Sequence, residues 1–279
     1  MGFNTPAQVA EAVANAGKTK ANLPFLQMVI LGIFAGCYIG FGAELCTMVV
    51  TGTADKLGLG MAKLMGGSVF TVGLMLVVIG GAELFTGNNL MTIGLANGRI
   101  KASGLVYNWV VVWIANFLGS VLLVYMMYKS GLWHTGGEAV GTTAINIAAG
   151  KVNLSWAEAF YRAIGCNWLV CLAVWLAFAA QDVIGKIFGV FFPIMAFVAS
   201  GFEHCVANMY FVPMGIVLKG DAAMSNAVVA LGSKADALTW SGFFVNNLIP
   251  VTLGNIVGGA IFVGLAYFMV YVNTLNNKA

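Results

Sequence analysis

Four ionisable side chains stand out inside the long apolar stretches of this sequence. They are Glu44, Glu83, Glu203 and His204. An ionisable group at bilayer depth costs several kcal/mol and usually marks a functional site. A histidine can donate a hydrogen bond to an anion and can exchange a proton near neutral pH. We therefore predict that His204 is the centre of the chemistry, with a satisfied core histidine as the alternative.

Glu83 and Glu203 lie in two similar polar interruptions of apolar sequence, GGAELFTGNN and ASGFEHCVAN. A carboxylate can accept hydrogen bonds from the backbone N–H groups that a helix break releases, and it suits a helix N-terminus. We predict that both glutamates cap these breaks; roles as substrate ligands or proton carriers are the alternatives. His204 departs from the symmetry, because the matching position in the first interruption is Leu84.

Further polar side chains are expected close to the two breaks. Thr86 offers a hydroxyl group from the first break, and Asn167 and Asn255 offer amide groups from neighbouring helices. Asn167 is equally consistent with a hydrogen bond that joins two helices. Lys151 lies between two apolar runs. A lysine there would attract anions to a pore mouth, or it would be an ordinary solvated charge in a loop.

Large apolar residues recur at helical spacing on the same runs as these polar groups. One interpretation is ordinary helix packing. The other is a pair of hydrophobic constrictions on either side of a polar chamber. The residues concerned are Phe70, Leu74 and Phe197.

Positioning these residues requires helices in a lipid bilayer. Of 279 residues, 60% are hydrophobic and 8% are charged, which excludes a soluble enzyme, a disordered chain and a nucleic-acid binder. The five cysteines lie in apolar runs without metal-ligand spacing, so we expect no metal and no cofactor. Six runs are long enough to span a membrane: Met28–Val50, 63–95, Val106–Tyr128, Trp156–Ala180, 187–218 and Leu248–Tyr271.

The second and fifth runs are about 32 residues each, longer than a bilayer requires, and both carry a glycine-containing break. Such breaks are tolerated only inside protein or beside a water-filled cavity. We therefore predict an all-α membrane protein whose six transmembrane helices form two inverted three-helix repeats, with a site near the midplane. Three short matches support the repeat: Gly81–Glu83 with Gly201–Glu203, Gly36–Cys37 with Gly165–Cys166, and Asn116 with Asn255.

The predicted organisation is one transmembrane channel domain with short flanking segments. Lysine and arginine are almost evenly divided between the two sides, so their distribution does not decide the orientation. The expected boundaries are an N-terminal segment 1–27, a domain 28–272 with repeats of about 28–128 and 156–272, and a C-terminal tail 273–279.

Several sequence blocks resemble the formate/nitrite transporter family. They are MAKLMGG, GAELFTGN, NWLVCLAVW, ASGFEHCVANM and NNLIPVTLGNIVGG. The resemblance extends over roughly residues 18–271. It implies an aquaporin-like fold, a homopentamer with one pore in each protomer, a multi-pass location in the inner (plasma) membrane, and a cytoplasmic N-terminus. It also implies that the loop near 47–57 lines the cytoplasmic entrance.

The same resemblance assigns roles to individual residues. His204 corresponds to the family's pore histidine and Thr86 to its pore threonine. Lys151 corresponds to the loop lysine, and Asn167 and Asn255 to pore asparagines. The residues that correspond to the constrictions are Phe70, Leu74, Leu84 and Phe197.

The function implied is a channel or transporter for small monovalent weak-acid anions. Formate and hydrosulphide are favoured, nitrite is a third candidate, and proton coupling is a hypothesis because a neutral acid crosses an apolar slit more cheaply than its anion. A neutral-solute channel for ammonia or water is the alternative. However, the chain lacks paired Asn-Pro-Ala triplets, and its second histidine, His134, lies in a loop. An intramembrane enzyme would need a nucleophile–base pair or a metal set that the spans do not supply.

Overall fold

The computed structural model describes residues 2–273, and their secondary structure is helical apart from one isolated antiparallel bridge between Phe3 and Ala180. The last helix, Trp240–Val272, alternates between α and π turns. The six residues after 273, most of the expected tail, lie outside the described residues. The helices are α1 Pro6–Ala21, α2 Phe25–Val50, α3 Thr53–Leu57, α4 Leu59–Gly80, α5 Phe85–Asn88, α6 Thr92–Ala96, α7 Ala102–Ser130, α8 Ala139–Val152, α9 Trp156–Ala179, α10 Val183–Ser200, α11 Cys205–Lys219, α12 Ser225–Leu231 and α13 Trp240–Val272.

Within residues 2–273, six helices are long and apolar enough to cross a membrane: α2, α4, α7, α9, α10 and α13. The chain is therefore a multi-pass membrane protein, and the predicted all-α fold with six spans is confirmed. The second and fifth spans are broken as predicted, since α4 is followed by α5 and α10 by α11 after short non-helical turns. The sixth span is longer than predicted and begins at Trp240.

Both breaks begin at a glycine with a positive φ. Gly81 has φ 83° and follows α4, and Gly201 has φ 77° and follows α10. Glycine adopts this left-handed conformation without the Cβ penalty of other residues and commonly ends helices. Two further residues lead to the N-cap residues of the next helices, Leu84 for α5 and His204 for α11. The matching positions of Leu84 and His204 are thus confirmed.

The two halves pack their helices with the same close contact. In the first half, Gly119 on α7 lies against the carbonyl group of Ile33 on α2. In the second half, Gly258 on α13 lies against the carbonyl group of Ile164 on α9. A Cβ at either glycine would overlap the carbonyl oxygen, so both contacts require glycine, as is typical of closely packed membrane helices.

The hydrogen bonds at the breaks fix which residues of α2 and α9 correspond. The backbone N–H of Glu83 donates to the carbonyl of Leu31, and that of Glu203 donates to the carbonyl of Arg162. Leu31 and Arg162 are therefore equivalent. The predicted match of Gly36–Cys37 with Gly165–Cys166 is wrong by two residues, because both helices contain many small residues that align at several registers.

The repeat includes one helix more in each half than expected. The helices α1 and α8 end in the same way: Asn22 Nδ2 donates to the carbonyl of Lys18, and Asn153 Nδ2 donates to the carbonyl of Ala149. These pairs have the same spacing as Leu31 and Arg162. The segment 1–27 thus contributes a helix to the first repeat, and α8 is its counterpart before α9.

Candidate pore and substrate site

An asparagine from the third span holds the first helix break. The Oδ1 atom of Asn116 accepts a hydrogen bond from the backbone N–H of Phe85 at 2.9 Å. Its Nδ2 atom donates to the carbonyls of Gly32 and Glu83 at 2.8 and 2.9 Å. One fully buried side chain thus joins α2, α7 and the start of α5, and it satisfies backbone groups that would otherwise be unpaired in hydrocarbon.

Asn255 on α13 repeats this arrangement at the second break. Its Oδ1 atom accepts from the backbone N–H of Cys205 at 2.9 Å, and its Nδ2 atom donates to the carbonyls of Ala163 and Glu203 at 2.8 and 3.0 Å. The predicted correspondence of Asn116 and Asn255 is confirmed. The first free N–H group of each half-helix is therefore satisfied by an asparagine and not by a glutamate.

The carboxylate of Glu203 bonds to side chains instead. It accepts hydrogen bonds from Lys151 Nζ at 2.9 Å, from Asn208 Nδ2 at 2.7 Å and from Asn247 Nδ2 at 3.3 Å. The prediction that the Glu203 carboxylate caps the break is wrong. The capping residue, Asn255, bonds to the main-chain carbonyl of Glu203 and not to its carboxylate. The buried carboxylate is instead paired with an ammonium group and hydrogen-bonded to two amides, which offsets the cost of burying its charge.

Glu83 has an equivalent set of partners, so the capping prediction is wrong for it as well. Its carboxylate accepts from Lys20 Nζ on α1 and, at 2.8 Å, from Asn88 Nδ2. Asn88 also donates to Asn108 Oδ1, as Asn208 donates to Asn247. Lys20 was not among the residues predicted for the site. The available signal was that Lys20 and Lys151 have the same spacing as the equivalent residues of α2 and α9.

His204 and Thr86 meet where the two breaks face each other. The Nδ1 atom of His204 accepts from the backbone N–H of Ala207 at 3.0 Å, so this nitrogen carries no proton. The imidazole proton is then on Nε2, which lies 2.9 Å from Thr86 Oγ1. His204 therefore donates to Thr86, and the hydroxyl proton of Thr86 is left to point at another acceptor.

Asn167 positions this pair. Its Nδ2 atom donates to the carbonyl of Thr86 at 3.2 Å, to Asn89 Oδ1 at 2.8 Å and to the carbonyl of Asn255 at 2.7 Å. Asn167 and Asn255 are both fully buried. Their amide groups hold the breaks and Thr86 in place, and direct contact of either asparagine with a substrate stays a prediction.

One vestibule, which we call the α1 vestibule, lies beside the N-terminal helix. It is a cavity of about 340 Å³. Its floor is formed by Leu74 and Leu84, both almost fully buried, and its charged lining residues are Lys20, Glu83 and Lys186.

The opposite cavity, which we call the α8 vestibule, has a volume of about 650 Å³. Because α1 and α8 hold matching places in oppositely inserted repeats, the two vestibules open at opposite ends of the protomer. The aromatic residues Phe70 and Phe197 and the imidazole of His204 form its floor. Its charged lining residues are Lys63, Lys151, Arg162 and Glu203.

The two floors separate the vestibules. Phe70 and Phe197 meet edge to face with ring centroids 5.7 Å apart, and Phe197 stacks on His204 at 5.8 Å. On the other side, Leu74 and Leu84 close the α1 vestibule. Thr86 between them is 0% exposed. This conformation is closed, with Thr86 buried between the two apolar floors and hydrogen-bonded to His204.

The loop near 47–57 and the N-terminal helix lie at opposite mouths. Ala54 in α3 lines the α8 vestibule, whereas α1 lines the opposite one. The N-terminal helix and this loop therefore cannot both lie at the cytoplasmic entrance. The intramembrane Glu44 is separate from both vestibules and borders a small cleft with Trp133 and Tyr210.

Comparisons with known proteins agree with this architecture. The sequence model described as Formate/nitrite transporter matches residues 7–269. A protein of Methanothermobacter thermautotrophicus named "Probable formate transporter" is 49% identical, over 97% of this chain and 98% of its own. The "Formate channel FocA" of Escherichia coli K12 is 40% identical, over 96% and 94% of the two chains.

Solved structures share the fold at similar coverage. One described as "Pentameric formate channel with formate bound" superposes with a TM-score of 0.80 and 39% identity, covering 89% of this chain and 98% of that chain. A second, described as "FNT family ion channel", has a TM-score of 0.81 and 28% identity, covering 94% and 98%.

Proposed function

The chain belongs to the formate/nitrite transporter family, a family of channels and transporters and not of enzymes, and from this premise we propose that it conducts formate. The observation that carries the proposal is the hydrogen bond between His204 and Thr86, whose hydroxyl lies between two closed apolar barriers. The names of the similar proteins favour formate over hydrosulphide and nitrite. The pore itself favours none of the three strongly, because a small difference in size is worth only about 1–3 kcal/mol in an apolar site.

Thr86 is the proposed contact for the anion. Its hydroxyl proton is free, because its oxygen already accepts the Nε2–H of His204. A hydroxyl that accepts one hydrogen bond is polarised and donates a stronger one. The start of α11 at His204 adds the partial positive charge of a helix N-terminus on the same side. The site therefore selects a small anion that presents its hydrogen-bond acceptors on one edge.

Proton coupling is the second part of the proposal. A charged anion loses its hydration at the Phe70–Phe197 barrier, so the neutral acid crosses there more cheaply. We place the source of the proton in vestibule water and not on His204. Protonation of His204 at Nδ1 would break its hydrogen bond with the N–H of Ala207.

We further propose a homopentamer in the inner membrane with a cytoplasmic N-terminus, each protomer having its own pore. Similarity to the solved pentameric formate channel supports the stoichiometry. The outer faces of α2 and α7 carry exposed apolar side chains such as Phe34, Phe41, Ile114 and Leu118, which suit lipid or a neighbouring protomer. The α1 vestibule would then be the cytoplasmic one.

Formate flux into proteoliposomes tests the site. Thr86→Val keeps the shape of the side chain but removes a hydrogen bond to a charged group, worth about 1.5–3 kcal/mol, so we expect flux to fall about 10- to 100-fold. Thr47→Val is the matched control, since that buried hydroxyl only donates to the carbonyl of Ala43 in its own helix.

The same assay tests the substrate. Wild-type protein should pass formate at least as fast as nitrite or hydrosulphide. Undiminished flux through Thr86→Val would refute the proposed site, and a wild-type protein that conducts nitrite or hydrosulphide but not formate would refute the substrate.

A further inference from the structure

Glu83 and Glu203, which we call the break glutamates, balance the charge of the lysines that face them. Lys151 Nζ lies 2.9 Å from Glu203 Oε1, and the two side chains are 15% and 5% exposed. Lys20 is paired with Glu83 in the same way. Such a pair acts on an anion at the mouth as a dipole, and the field of a dipole decays faster with distance than that of a single charge. Neither paired lysine is therefore a strong long-range attractor.

The α8 vestibule contains another lysine, Lys63, near the start of α4. Its ammonium lies over the second break: a Cβ built on Gly201 would be 3.2 Å from Lys63 Nζ. Among residues 2–273, the ion pairs leave Lys63 without a carboxylate partner. The other cation that lines this cavity, Arg162, faces Glu158 at 4.0 Å. Lys63 therefore supplies an uncompensated positive charge.

The α1 vestibule has the same arrangement with Lys186, in the first turn of α10. Once Lys20 and Glu83 are paired, Lys186 is the remaining charged residue of this lining. No carboxylate in the described part of the chain forms an ion pair with it. The neighbouring Asp182 uses its Oδ1 atom to cap α10 through the N–H of Gly185.

Lys63 and Lys186 hold comparable places in the two repeats. Each lies near the start of the helix that leads to a break, α4 or α10. The repeat places the residue equivalent to Lys63 at Val183, one turn before Lys186. Each mouth thus has one paired and one unpaired lysine, although the unpaired lysines differ by a turn in register.

We propose that Lys63 and Lys186 are the residues that collect the anion at the two mouths, whereas Lys151 and Lys20 mainly hold the break glutamates. This inference rests on the proposed function as an anion channel. A single positive charge at the rim of a low-dielectric cavity raises the local concentration of anions, and salt suppresses the effect. An unpaired cation at each end also allows capture from either side of the membrane.

The test is one-sided formate entry into vesicles of known orientation, with Lys63→Gln and Lys186→Gln. At about 10 mM ionic strength, Lys63→Gln should raise the half-saturating formate concentration about 3- to 10-fold for entry from the α8 side, with the maximal rate unchanged. Lys186→Gln should do the same from the α1 side. At about 1 M of an impermeant salt, where the Debye length is near 3 Å, both effects should disappear.

The controls separate collection from structure. Lys63→Arg should restore the wild-type value, and Lys129→Gln, which removes a lysine outside both linings, should leave it unchanged. If Lys63→Gln does not assemble, Lys63→Met is measured in its place. A loss of flux that is equal from both sides and insensitive to salt would overturn the proposal, as would a salt-sensitive, one-sided loss in Lys151→Gln but not in Lys63→Gln. Failure of the wild-type protein to conduct any of the anions would instead refute the proposed function.

Discussion

The Nδ1 atom of His204 accepts a hydrogen bond from the backbone N–H of Ala207, 3.0 Å away. His204 is therefore the N-cap of α11 as well as a partner of Thr86. The two roles use different ring nitrogens. Because Nδ1 accepts a hydrogen bond, the imidazole is the neutral Nε2–H tautomer. The central hydrogen bond therefore runs from His204 Nε2 to the hydroxyl oxygen of Thr86.

A substitution of His204 should separate the two roles. Asparagine is a good N-cap and can keep the bond to Ala207, so His204→Asn should assemble with wild-type thermal stability. Because the proton is proposed to come from vestibule water, the pH profile of formate flux should keep its shape, with a rate lower by about 3- to 10-fold from the weaker polarisation of Thr86. A flat pH profile in this variant would identify His204 as the proton donor.

His204→Phe provides the contrast for stability. Phenylalanine cannot accept the N–H of Ala207, and loss of a cap costs about 1 kcal/mol. We therefore expect a lower unfolding temperature than in His204→Asn, measured by thermal unfolding in detergent. Equal unfolding temperatures for the two variants would show that the cap contributes little.

The asparagines that hold the breaks should be more important for stability than the pore residues. Asn255→Leu leaves the buried N–H of Cys205 and the buried carbonyl of Glu203 without this partner, at about 1–3 kcal/mol for each group. Asn116→Leu should cost a similar amount, because its contacts are equivalent. Asn146→Leu, at an exposed position of α8, is the control. Thermal unfolding in detergent should show a large loss for the first two variants only.

The breaks were predictable from sequence because their signals are local. A glycine two residues before a glutamate in the middle of an apolar run has few interpretations in a membrane, and both Gly81 and Gly201 end a helix in a left-handed conformation. The correspondence of Asn116 and Asn255 was equally visible, because asparagine is rare in apolar helices. His204 and Thr86 could be placed near the centre for the same reason.

The partners of the glutamates were not predictable in this way. Whether Glu83 binds a backbone N–H or an ammonium depends on which side chains reach it, and Lys20 reaches it from a helix 63 positions earlier. That helix is too polar to be read as part of the membrane domain. The register of α2 against α9 failed for a related reason, since small residues recur along both helices and only the contacts at the breaks select one alignment.

The ion pair of Lys151 and Glu203 should show strong coupling in a double-mutant cycle. Removing one partner leaves a buried charge unpaired, which costs about 3–5 kcal/mol, so Glu203→Gln and Lys151→Met should each destabilise the protein strongly. The double variant leaves neither charge and should be much more stable than the sum of the single effects implies. Unfolding of the four proteins in the same detergent measures the coupling. Strict additivity would mean that the two charges do not interact.

The apolar floor of the α1 vestibule should set the upper size of the anion. Leu84 is almost fully buried in this floor, two residues before Thr86, so Leu84→Ala removes three carbon atoms from the floor. We expect the ratio of acetate to formate flux to rise about 10-fold or more, since one methylene in an apolar pocket is worth about 1–3 kcal/mol.

Leu123→Ala removes the same volume from a buried site against Gly40, away from the vestibules, and should leave the ratio unchanged. The comparison requires both variants to assemble, which size-exclusion chromatography checks. An unchanged ratio in Leu84→Ala would place the size limit at the Phe70–Phe197 pair, where Phe197→Leu should then raise it.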